Sequence, residues 1–183
     1  MIEGVDWTGT NAQGLQLSES KLRGADLVGA FLTRGLLRDV VVLEGDWANV
    51  MADGIVLRRV RFDGVRLTGA NFSGSTMDNV SFSECRLDLG SFRFANMECV
   101  RFERCRMEGS DFYDAVLTSA AFIDCNLAEV TLAGATFTQS EMRGCDLSGA
   151  GNPERLRGIR MPWVDIIRNV AELAAAAGIE RVE

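Results

Sequence analysis

Residues 60–82 read VRFDGVRLTGANFSGSTMDNVSF, with a large apolar residue at every fifth position: Phe62, Leu67, Phe72, Met77 and Phe82. The spacing runs on through Leu87, Phe92, Met97, Phe102, Met107, Phe112 and Leu117 to Phe122. Two residues before each stands a small one, as at Val60, Val65, Ala70, Ser75 and Val80. A period of five fits neither a helical nor a plain strand template, so it marks a repeat. In extended chain, residues i−2 and i point to the same side. The large and small positions therefore line one interior. Because five is odd, simple alternation would turn the next large residue outward. Each unit must contain a corner that absorbs one residue. Gly64, Gly69, Gly74 and Gly109, two after the large residue, suit that corner because glycine accepts left-handed backbone angles.

The number of sides follows from a second period. Cys85, Cys105, Cys125 and Cys145 recur every 20 residues, as do Arg66, Arg86 and Arg106, and Asp6, Asp26 and Asp46. Phe alternates with Leu or Met, so a coil of four units stacks Phe62, Phe82, Phe102 and Phe122 on one side. It stacks Phe72, Phe92 and Phe112 on the opposite side. Three sides would lose this like-on-like stacking. Units such as Ala25-Asp26-Leu27-Val28-Gly29, Ala70-Asn71-Phe72-Ser73-Gly74 and Cys145-Asp146-Leu147-Ser148-Gly149 resemble pentapeptide repeats of the A-(D/N)-(L/F)-X-X type. The resemblance implies an all-β solenoid, a right-handed quadrilateral β-helix, over residues 1–150. Residues 151–183 form a C-terminal helical cap.

The ends are less regular. Trp7 and Trp47 take large inward positions, Ala12 and Ala52 underfill them, and Leu15 and Ile55 overfill the small ones. Atypical terminal coils are the rule in solenoids, and Trp7 is a candidate lid. Phe31, Leu36, Val41 and Leu43, with Met51 and Val56 one coil later, put apolar side chains at outward positions. Their weak repeats predict an irregular coil that tucks them inward, the alternative being a contact surface. Leu89, Phe94 and Tyr113 form a second outward apolar spot.

Absences bound the chemistry. The chain has no histidine and no phosphate-binding or nucleophile motif, so it reads as a non-enzyme without cofactor. Five cysteines without a CxxC pair argue against a metal site. Four of them sit at the small inward position as core residues, while Cys99 is outward and the more reactive candidate. Neither a basic, apolar leader nor a membrane-length apolar run is visible, which points to a cytoplasmic protein.

Charge is uneven. Residues 1–150 carry 21 acidic and 14 basic side chains, and the remainder five of each, so the net charge of −7 lies on the repeats. Arg58, Arg59, Arg61, Arg66, Arg86, Arg101, Arg104 and Arg106 form a belt whose neighbours Asp63, Asp88, Glu103 and Glu108 predict surface pairing. Between Arg106 and Arg143 there is no basic residue, but there are six acidic ones: Glu108, Asp111, Asp114, Asp124, Glu129 and Glu141. They make an anionic surface suited to a basic partner. After Ala150, Asn152-Pro153 reads as a cap and first-turn proline. A helix is predicted from Trp163 to Ala177, with Gly178 as its stop. Its stripe of Val164, Ile167, Val170, Ala171 and Ala174, widened by Ile166 and Leu173, exceeds what one solenoid end needs to hide. The sequence therefore predicts a helix that caps the rod and pairs with a second copy, the interface comprising Trp163, Val164, Ile166, Ile167, Val170, Leu173 and Ala174.

Unbroken coils, this length, and Gly158-Ile159-Arg160 leading into an Ala-rich helix resemble the Qnr/MfpA quinolone-resistance group. That resemblance implies a rod-like homodimer joined at its C-terminal ends. Its acidic surface would mimic DNA, bind DNA gyrase or topoisomerase IV, and counter fluoroquinolones. No direct nucleic-acid or membrane contact is implied. A scaffold rod docking a partner around Phe31 and Leu36 is the alternative.

Overall fold

A computed structural model describes residues 1–179. Every inward pair finds its counterpart 20 residues on. Phe62 pairs in parallel register with Phe82, Phe82 with Phe102, and Phe102 with Phe122. Single bridges join Asp6 to Asp26 and continue in steps of 20 to Asp146, which makes about seven coils. The result is a four-sided parallel β-solenoid. The first side holds the large residues Phe62 to Phe122; the second, Trp7, Trp47 and Leu87; the third, Phe72, Phe92 and Phe112; the fourth, Leu57, Met77 and Met97. Early coils join the fourth and first sides in long strands, Gln16–Arg23, Leu36–Leu43 and Val56–Asp63. Later coils divide them into three-residue pieces such as Asn96–Glu98 and Arg101–Glu103.

The core is an aromatic ladder. Phe62, Phe82, Phe102 and Phe122 stack at 4.9, 5.0 and 4.9 Å between centroids. Phe72, Phe92 and Phe112 stack at 5.6 and 4.9 Å on the opposite side. The two columns meet edge to face across the hollow, for example Phe92 on Phe102 at 5.8 Å and 80°, the geometry that aromatic quadrupoles favour.

The corners fall where the sequence places them, but glycine is only half of the reason. The residue two after each large one has positive φ, including Leu89 (57°), Phe94 (58°) and Asp114 (52°). Where such a residue is not glycine, its side chain often lies over the corner of the next coil. Leu89 Cδ2 stands 3.0 Å from where a Cβ on Gly109 would be, and the Asp114 carboxylate occupies that place at Gly134. The D/N position has its own role. Asp46, Asn71, Asp111, Asn126 and Asp146 each accept, through Oδ1, the N–H two residues on, at 2.8–3.0 Å, an Asx turn that fixes the bend.

The predicted irregularity around Phe31 is not observed. Phe31 pairs over Met51 and Leu36 over Val56 in unbroken register, and Phe31 stays outward. Volume compensation explains this. Trp47 and Ala52 face the same coil's interior from adjacent sides, and both are buried together with Ile55. A large residue, a small one and an overfilled small position sum to a regular cross-section. Trp7 is half-buried and packs against the core at the N-terminal end.

The C-terminal unit differs from expectation in three ways. Asn152 is in left-handed conformation without capping the short turn Pro153–Leu156, and its side chain meets Glu154 instead. The helix is two short ones, α1 (Trp163–Arg168) and α2 (Val170–Ala176), divided at Asn169. Gly178 does end it, at φ 74°. The apolar stripe also faces the other way. Val164, Ile167 and Val170 point to solvent, while Asp165 and Asn169 are buried against the last coil. Residues 180–183 of the 151–183 unit lie outside the described residues.

Candidate interaction surfaces

The inversion has a hydrogen-bonding cause. Within the rod, some of each coil's N–H groups donate to carbonyls of the next coil, as Trp7 N does to Asp26 O, and others to the one before, as Asp26 N does to Val5 O. The last coil has no successor. Gly144 N–H donates to Asp165 Oδ2 at 2.9 Å, and Leu147 N–H to Asn169 Oδ1 at 2.9 Å. Asn169 Nδ2 returns a bond to Cys145 O at 3.1 Å and to Asp165 O at 3.0 Å. Two polar side chains stand in for the missing strand, because a buried edge needs its backbone groups satisfied. The polar helix face must therefore point inward. Nothing in the sequence pattern marked these residues, since their roles require knowing where the last edge lies.

The opposite face is left apolar and open. Trp163 is 72% exposed, Val164 62%, Ile167 58% and Val170 60%. Of the other predicted interface residues, Ile166, Leu173 and Ala174 are half-buried, and Leu173 packs on the core.

The six acidic residues after Arg106 spread over three sides. Asp124 and Glu141 lie on the first side, Glu108 and Glu129 on the second, and Asp111 and Asp114 on the third, as their 20-residue register dictates. Asp111 is bound to Arg93 at 2.6 Å, and Glu141 to Arg143 at 3.2 Å. Among the described residues, Glu108, Asp114, Asp124 and Glu129 have no cationic partner within 4 Å.

The arginine belt is largely spent on neighbours. Arg59 grips Asp39 bidentately at 2.6 and 2.7 Å, and that hydrogen bonding holds the Asp39 carboxyl below its usual range. Arg66 meets Asp46 at 2.6 Å, Arg61 meets Asp63, and Arg104 meets Glu84 at 3.2 Å. Glu108, an expected partner, has none, and neither Arg58 nor Arg86 has an acidic partner among the described residues. Such exposed pairs contribute little stability, but they cancel the belt's field. The cysteine column Cys85, Cys105, Cys125 and Cys145 is buried, Cys99 is exposed, and all five are free thiols.

A four-sided parallel β-solenoid with a 20-residue coil and Asx turns at several of its corners defines a class of repeat protein. Residues 3–39 match the family described as pentapeptide repeats, and residues 55–132 match its pentapeptide repeat region. The chain belongs to the pentapeptide-repeat family. No curated protein matches it in sequence. Among solved structures it is similar to a trypsin-treated variant of QnrB1, a plasmid-mediated fluoroquinolone resistance protein, at 13% identity and TM-score 0.51. That match covers 100% of this chain and 99% of that one. It is also similar to HetL of the cyanobacterium Nostoc, a protein of heterocyst differentiation regulation, at 19% identity and TM-score 0.32, covering 89% and 92%. At these identities the likeness concerns the fold. No helix among the described residues is long and apolar enough to cross a membrane.

Proposed function

We propose that the protein is a non-enzymatic, cytoplasmic DNA-mimicking rod that binds the basic DNA-gripping saddle of DNA gyrase or topoisomerase IV and protects it from fluoroquinolones or toxins. The observation that carries this reading is the set of unpaired carboxylates Glu108, Asp114, Asp124 and Glu129 on the coils nearest the C-terminal end. Spread over three sides, they face a partner that wraps the rod, as a saddle does, better than one that meets a single flat face.

Magnitudes say where the mimicry must reside. About seven coils at ~4.8 Å give a rod near 35 Å. A dimer with twice the net charge of −7 then carries about one charge per 5 Å, against one per ~1.7 Å in duplex DNA. Recognition therefore depends on the local acidic coils.

The test is gyrase supercoiling and drug-induced cleavage with purified protein. Wild type is expected to alter both, and Asp114→Lys/Asp124→Lys/Glu129→Lys to abolish the effect. No effect at large molar excess rejects the reading. The scaffold alternative, through outward Phe31 over Met51, would then stand.

The open face of α1 and α2 supports the second element of the proposal, a homodimer through the C-terminal ends. Sedimentation is expected to give a mass near twice 20.0 kDa, falling to the single mass in Ile167→Asp. A wild-type monomer at micromolar concentration contradicts it.

A further inference from the structure

Away from the rod's two ends, the exposed large apolar side chains are Phe31, Leu89, Phe94 and Val116. Three of the four gather on two successive coils. Leu89 (69% exposed) and Phe94 (56% exposed) occupy consecutive corners and bracket the third side between them. Both hold left-handed backbone, which is costly for any residue with a Cβ and uncommon for bulky ones. Glycine fills the same corner one coil to either side of Leu89, at Gly69 and Gly109, and one coil before Phe94, at Gly74. The other non-glycine corners hold polar residues or Cys99, so these two alone carry a large apolar side chain there.

Their surroundings name the kind of partner. Leu89 lines an open groove with Asp88, Arg106, Glu108, Gly109 and Glu129. Asp88 Oδ1 is buried there without a hydrogen-bond donor, and Arg106 Nε stands 3.6 Å away, beyond bonding reach. Asp114 follows Phe94 directly in the next coil, and Val116 flanks it. Glu108, Asp114 and Glu129 are three of the four unpaired carboxylates described above. The arginine beside Phe94, Arg93, is not free to repel a cation. It is bound to Asp111 at 2.6 Å and lies 4.4 Å from the Tyr113 ring centroid and 5.6 Å from that of Phe94.

We infer that the Leu89 corner, with the acidic groove on the second side and Phe94 across the third, is a docking site for a basic protein segment that also carries apolar side chains. Its cations enter the groove of Asp88, Glu108 and Glu129, and its apolar groups rest on Leu89 and Phe94, two anchors ringed by charge. This rests on the reading that the acidic coils meet a basic protein, and says where they grip it.

The probes are a short amphipathic Lys/Leu peptide and a Lys/Ser peptide of equal charge, followed by fluorescence anisotropy. Wild type is expected to bind the Lys/Leu peptide at least about tenfold more tightly, a difference of ~1.4 kcal/mol. Leu89→Gly/Phe94→Gly is expected to lose that preference while its Tm holds or rises, because glycine relieves both corners. The Ile167→Asp variant, altered at the far end, is expected to keep the preference. Equal wild-type affinities, a preference that survives the glycine pair, or one lost on Ile167→Asp overturns the inference, and a lowered Tm overturns its strain argument. Failure of the gyrase assay with these binding results intact would reject the topoisomerase and leave the docking face.

Discussion

Phe102→Ala is expected to destabilise the protein by about 4 kcal/mol, the usual cost of deleting a buried aromatic ring. Phe102 has no exposed surface, stacks on Phe82 at 5.0 Å and on Phe122 at 4.9 Å, and meets Phe92 and Phe112 edge-on at 5.8 and 6.4 Å. Neighbouring coils cannot close around the hole, because their backbones are held apart by the strand spacing of the ladder. The loss is a large share of the ~5–15 kcal/mol by which domains are stable. It corresponds to a fall in Tm of about 12 °C in a chain of this size. Urea denaturation checks it, with Phe102→Met as comparison. Methionine fills the fifth position elsewhere and is expected to cost less than half as much. A change below about 1 kcal/mol in the alanine variant would mean that the ring does not lie in a closed core.

Asn169→Ala is expected to be the most damaging single change outside the aromatic ladder, at about 3 kcal/mol. Alanine leaves the buried Leu147 N–H and Cys145 C=O without partners, each worth roughly 1–3 kcal/mol when orphaned. The damage is local. Hydrogen exchange is expected to show lost protection at Gly144 and Leu147, with amides near Phe82 unchanged. Combining it with Asp165→Ala removes both stand-ins, bares the last parallel edge and is expected to give concentration-dependent aggregation. A double variant that stays soluble with a protected Leu147 amide would assign the capping to packing of Leu156 and Leu173 instead.

The two predictions rest on different kinds of knowledge. Phe102 was legible because its interval recurs along the chain, and recurrence is visible in one dimension. Asn169 was not, because its partners lie more than 20 residues away and its role exists only at the single edge where the ladder stops. Helical periodicity assigned the apolar stripe of α1 and α2 both to capping the last coil and to pairing with a second copy. Here two backbone N–H groups needed oxygen acceptors more than the hollow needed apolar cover, and the polar face won. The acidic run shows the same division. Its composition could be counted, but its division over three sides follows from where each residue falls in the 20-residue coil. Which carboxylates remain free depends on Arg93 and Arg160 reaching in from other units and on Arg143 two residues along the same strand.

The sequence by itself determined the solenoid, its four sides, the stacking partners and the corners, since all four are consequences of a period of five inside a period of 20. Tertiary structure alone decided how the rod ends and which carboxylates of the acidic run keep no cationic partner. Those depend on contacts between residues that no period relates.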